Sequence, residues 1–182
     1  MQNWQVIYCK KQETMKSYKQ LFIVRHGKSS WEYEHVDDID RPLKVKGIND
    51  AYAMAKRLNS KNKKPQLILS SPANRALHTS TIFARVLEYP LFNLRLNETI
   101  YNGDENDVLK LIHETDDSIS TLMIFGHNPV STDLSNMFLK NKLDKLPTAG
   151  ITSLNFKAER WKDISNDNVS TELVDYPKKT EK

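Results

Sequence analysis

The chain has 182 residues, enough for one domain with a substantial core but too few for two comfortable ones. Its hydrophobic content is 38%, and no apolar run approaches the roughly 18 residues that span a bilayer, so a membrane partner is not expected. The formal net charge is +4, and the single cysteine, Cys9, rules out an intramolecular disulfide.

Residues 1–18 differ from the rest of the chain. Trp4, Val6, Ile7 and Tyr8 stand among polar residues, and Met15 lies just ahead of the first clear strand pattern. This stretch reads as an N-terminal leader, a loose arm or a non-native start, followed by a domain over 19–182. It lacks an apolar stretch ending in small residues, which argues against secretion and leaves the cytoplasm as the expected location.

Leu21-Phe22-Ile23-Val24 is the first short apolar run, and it ends in Arg25-His26-Gly27. Such runs bounded by turn residues read as buried strands. Gly27 permits a close backbone approach beside the histidine. After a polar loop, Ile48, Ala51, Tyr52, Ala55 and Leu58 keep a helical period.

The second run, Leu67-Ile68-Leu69, ends in Ser70-Ser71-Pro72 with Arg75 close behind. A hydroxyl cap followed by proline predicts a helix starting at Ser71-Pro72 and running to about Tyr89. Arg75 falls in its first turn, where side chain and helix dipole would act together on a phosphate. Residues 90–103 read as extended or looped. Asp104 is a candidate cap for a helix to about His113.

The third run, Leu122-Met123-Ile124-Phe125, ends in Gly126-His127-Asn128-Pro129, and a helix over about Val130–Leu139 follows. Ala149–Phe156 reads as a late strand, with a further edge strand near Val169–Val174. Strands alternating with helices predict an α/β fold, a single domain with a mostly parallel central sheet and helices on both faces. Ligands sit beyond the carboxyl ends of strands in such sheets. Two arginines and two histidines gathered there suit a phosphoryl group, since arginine gives bidentate charge-assisted bonds and histidine can be a nucleophile.

The basic clusters Lys61–Lys64, Lys140–Lys145 and Lys178–Lys182 carry no interleaved aromatics and read as solvated surface, so no nucleic-acid partner is expected. No carboxylate cluster suggests a metal, and arginines could neutralise the phosphoryl oxygens, so no metal or other cofactor is expected.

Three stretches carry a resemblance: Arg25-His26-Gly27, Ser70-Ser71-Pro72-Ala73-Asn74-Arg75-Ala76 and Gly126-His127-Asn128. In order and spacing they resemble the histidine phosphatase superfamily, whose fold is phosphoglycerate mutase-like, over about residues 20–156. Lys28-Ser29-Ser30-Trp31, Asp40-Arg41-Pro42-Leu43 and Leu146-Pro147-Thr148-Ala149-Gly150 look like the small SixA-type phosphohistidine phosphatases.

The resemblance implies a metal-independent phosphatase with His26 as the nucleophile. Arg25, Arg75 and His127 would clamp the phosphoryl oxygens, with Gly27 and Asn128 as further substrate contacts. Glu98 lies where family members often place a proton-donating carboxylate. Glu32 follows Trp31 where mutases have asparagine, so phosphatase action is expected over mutase action. The implied partner is a phosphohistidine protein, with a small phosphorylated metabolite as the alternative substrate. A phosphoprotein-binding relative without turnover is the other alternative, and the intact Arg25, His26, Arg75 and His127 argue against it.

Overall fold

The computed structural model describes residues 18–32 and 35–177. The expected leader lies almost wholly outside the described residues. The element order is β1 (Lys19–Arg25), α1 (Val45–Asn59), β2 (Leu67–Ser70), α2 (Asn74–Val86), β3 (Arg95–Leu96), α3 (Thr99–Asn102), α4 (Glu105–His113), β4 (Thr121–Gly126), α5 (Val130–Phe138), β5 (Ile151–Phe156) and β6 (Val169–Asp175), with short 3-10 turns between.

The six strands form one sheet in the order β3-β2-β4-β1-β5-β6. The β2–β3, β2–β4 and β1–β4 pairs are parallel, while β5 and β6 add an antiparallel edge. Strand alternation divides the core. Phe22 and Val24 of β1 pack with Ala51, Met54, Ile82 and Phe83 from α1 and α2. Leu21 and Ile23 pack on the other face with Val108, Ile112, Leu134 and Phe138 from α4 and α5. Both faces of the central strands are therefore covered, which is why these strands read as continuous apolar runs. The expected α/β fold with helices on both faces is the one observed.

Three local expectations shift. In α1 the inward position belongs to Met54, fully buried, while Tyr52 is partly exposed. Helix α2 starts at Asn74, not at Ser71-Pro72, because the Ser71 hydroxyl accepts from the Ala73 amide in a turn ahead of the helix. It ends at Val86, not near Tyr89. Glu88 takes φ 57° there, and the Tyr89 amide returns to the Ala84 carbonyl, closing the helix end. The cap at Asp104 is as expected, with its carboxylate accepting from the Asn106 and Asp107 amides.

The loop after β1 is held by backbone contacts. A Cβ on Gly27 would lie 2.7 Å from the Gly47 carbonyl oxygen, and one on Gly47 would lie 2.6 Å from the Lys28 amide nitrogen. The first turn of α1 thus presses directly on the histidine loop. Gly47→Ala should cost about 1–3 kcal/mol, the usual range for overpacking. Denaturant unfolding checks this, and an unchanged midpoint would show that the loop can yield.

Candidate active site

The carboxyl ends of β1, β2 and β4 lie side by side in the sheet, so the residues after them converge. The His26 amide donates to the Gly126 carbonyl, and the Ala149 amide donates to the His26 carbonyl. Ala149 has φ 56°, a region that favours glycine. Its buried turn closes one side of the histidine loop.

A cavity of about 540 Å³ opens at this edge, lined by Arg25, His26, Arg75, His127 and Asn128 together with Lys28, Asp38, Arg41 and Lys44, among others. That volume is within the usual range for small-molecule sites. The sequence-predicted arginines and histidines therefore meet in one place. A larger groove of about 650 Å³ runs along β3 and α4, but none of its lining residues is a histidine and only Arg95 is an arginine.

His26 lies at the floor and is 8% exposed. Its Nδ1 is 2.6 Å from the Gly27 carbonyl oxygen. A carbonyl oxygen only accepts, so Nδ1 carries the proton and Nε2 keeps its lone pair. Burial pushes the His26 pKa down, and the charges of Arg75 and Arg25 add to this. The Gly27 bond opposes them, and the balance lies at about 4. The ring is therefore neutral at neutral pH, the form a nucleophile needs.

His127 packs 5.1 Å from His26, centroid to centroid, and its Nε2 is 2.7 Å from the Ser71 hydroxyl. Burial and the neighbouring His26 lower its pKa to about 3. Arg25 gives Nη1 to the Leu146 carbonyl, and Asn128 gives Nδ2 to the same oxygen. Arg25 Nε, His127 Nδ1 and Asn128 Oδ1 are buried without a partner among the described residues. Such groups cost free energy, and three of them around one cavity suit a polar ligand.

Arg75 emerges from the first turn of α2 and is 6% exposed. Thr79, one turn on, accepts from the Gly27 amide and donates to the Arg75 carbonyl, coupling the histidine loop to the helix. The Gly27 amide is thus engaged by Thr79, and Gly27 is not among the residues that line the cavity.

Glu98 is not brought to this cavity. It is exposed, stands at the start of the four-residue helix α3, and its Oε2 lies 3.5 Å from Asn102 Nδ2. The short helix directs Tyr101 toward the site instead, with its ring 5.7 Å from that of His127. Among the described residues, the carboxylate that lines the cavity is Asp38, which no motif in the sequence singles out. It pairs with Arg75 Nη2 at 2.8 Å and Arg41 Nη1 at 2.9 Å, and it accepts from the Tyr101 hydroxyl at 3.0 Å. Partial burial raises its pKa, but the bonds from Arg41 and Arg75 outweigh that and hold it at about 2. Arg41 also bonds Ser30 and Ser29 and stacks 3.1 Å from the centre of the exposed Trp31 ring. The Asp40-Arg41-Pro42-Leu43 stretch is the available signal for this wall.

No group of three or more metal-ligating side chains is found among the described residues, and none of their helices is long and apolar enough to cross a membrane.

The lowered histidine pKa values predict an unusual pH response. His26 stays neutral down to about pH 4, so kcat/KM should hold from about pH 7 to 5 and fall below that. An acid limb centred near 6.5 would contradict this. The folded pKa lies below the unfolded value of 6.5, so the unfolded chain binds more protons between the two. Thermal stability should therefore decline as pH falls from about 6.5 towards 4.

Residues 21–117 match the family model described as histidine phosphatase superfamily (branch 1). An uncharacterized chloroplastic protein of Arabidopsis thaliana is 32% identical over 154 residues, 80% of this chain and 70% of that one. Among solved structures, the protein histidine phosphatase SixA complexed with tungstate has a TM-score of 0.69 at 20% identity, covering 85% of this chain and 96% of its own. A mycobacterial glucosyl-3-phosphoglycerate phosphatase has a TM-score of 0.61 at 16% identity, covering 87% and 98%. These two share the fold.

Proposed function

The chain belongs to the histidine phosphatase superfamily, and from that premise we propose that it hydrolyses phosphohistidine in proteins through a phosphoryl intermediate on His26. The observation that carries this reading is the buried neutral imidazole. Its Nδ1 proton is held by Gly27, and it shares one cavity with Arg25, Arg75 and His127.

In the first step the His26 Nε2 lone pair attacks phosphorus. The bond from phosphorus to the leaving atom breaks, and its electron pair departs with that atom. The developing charge on the oxygens falls to Arg25, Arg75 and His127, the positioning and electrostatic work that phosphoryl transfer requires. Asn128 holds the Leu146 carbonyl beside Arg25 and so fixes that side of the clamp. In the second step water attacks phosphorus, and the electron pair of the N–P bond returns to Nε2. Inorganic phosphate leaves, carrying the oxygen and the protons of that water. No carboxylic acid donates a proton in this scheme, which suits a protonated imidazole leaving group better than an alkoxide.

A small-metabolite substrate is the second reading. Lys28 and Lys44 line the same cavity as the phosphoryl clamp and could meet another anionic group on the substrate. A panel of phosphohistidine protein, phosphoserine, phosphotyrosine and sugar phosphates, compared by kcat/KM in the presence of chelator, separates the two. Phosphohistidine should lead, with chelator having no effect. A sugar phosphate leading by orders of magnitude would establish the second reading. Restoration of activity by a divalent metal would overturn the mechanism.

A further inference from the structure

We propose that Asp38 is a specificity-determining residue that favours nitrogen over oxygen leaving groups by accepting a hydrogen bond from the departing ring. The inference rests on the reading of His26 as the nucleophile. His26 is 8% exposed at the cavity floor, whereas the Asp38 side chain is 49% exposed on the cavity wall. An in-line displacement places the leaving group opposite the attacking nitrogen, on the open side where Asp38 stands.

The carboxylate is held there from three elements. Its Oδ1 accepts from Arg41, beyond the 3-10 turn that carries Asp38. Its Oδ2 accepts from Arg75 of α2 and from Tyr101 of α3. Arg75 also donates to its main-chain carbonyl. Two guanidinium partners keep the group ionised, so it has no proton to give. A carboxylate has about four acceptor positions, and the described residues use three, which leaves one for a ligand.

The two leaving-group classes respond oppositely to that fixed anion. In a phosphohistidine the phosphorus–nitrogen bond breaks with its pair going to the ring nitrogen. If the other ring nitrogen carries a proton, the ring leaves as neutral imidazole. A hydrogen bond from that N–H to Asp38 favours the protonated, better-leaving form. In a phosphoserine the pair goes to an alkoxide oxygen. Asp38 supplies no proton there, and its charge opposes the charge that develops.

The test uses two peptides of one sequence, carrying phosphohistidine or phosphoserine, with p-nitrophenyl phosphate as reference. For Asp38→Asn, the ratio of kcat/KM for the phosphohistidine peptide to that for either ester should fall by about tenfold or more, the weight of one hydrogen bond to a charged group. Asp38→Glu, which keeps the charge, should return most of the parent ratio. Asp38→Ser supplies the same comparison should the amide variant not fold. Equal losses on all three substrates would reduce Asp38 to a holder of Arg75 and overturn the proposal, as would an unchanged ratio. Failure of the active-site reading is distinct, because label trapped in the first turnover of the parent enzyme would then not be found on His26.

Discussion

His26→Ala should lower kcat by at least about 10⁴-fold on every phosphorylated substrate the parent accepts, the scale of loss when a covalent nucleophile is removed. The fold should persist. Among the described residues the side chain makes one hydrogen bond, to the adjacent Gly27 carbonyl, while the loop itself is held by main-chain bonds to Gly126 and Ala149. Removing a buried imidazole with a depressed pKa also removes a group that favours unfolding in acid. Steady-state kinetics and thermal melts check both halves. Turnover within tenfold of the parent would show that another group attacks phosphorus.

Arg75→Ala should lower kcat/KM by about 10³-fold, for two reasons that add. The variant loses a cation from the proposed phosphoryl site. It also leaves the Asp38 carboxylate with Arg41 and Tyr101 as its remaining side-chain partners, turning a shared anion towards the anionic substrate. Arg75→Lys should recover part of the loss, since a lysine restores charge without the two-pronged geometry. Kinetics with the lysine and alanine variants side by side decide the matter. If both were as active as the parent, Arg75 would be a structural partner of Asp38 and no more.

The parts of this molecule that could be read from residue order are those where one element carries the whole signal. Leu21–Val24, Leu67–Leu69 and Leu122–Phe125 are apolar throughout because their strands are covered on both faces. Arg25, His26 and His127 lie at the ends of two of those strands, and Arg75 opens the helix after the third. Chain position alone therefore brought them to one sheet edge. Asp38 could not be found this way. Its partners Arg75 and Tyr101 lie 37 and 63 residues away, and the pairing exists only once α2 and α3 have packed. Glu98 was singled out by the resemblance, which places a carboxylate in that region, and nothing in its neighbours reveals that α3 leaves it in solvent while Tyr101 turns inward. Strand β3 could be read only as part of an extended or looped stretch. Its two residues, Arg95 and Leu96, carry no alternation and become a strand only by pairing with Leu69 and Ser70.

The most direct measurement is rapid quench of a single turnover with a substrate labelled in its phosphoryl group, followed by mapping of the labelled residue. The proposed mechanism predicts an acid-labile label that accumulates within the first turnover, sits on His26 and disappears as inorganic phosphate is released. Label on any other residue, or a burst of phosphate with no labelled protein at any quench time, would contradict it.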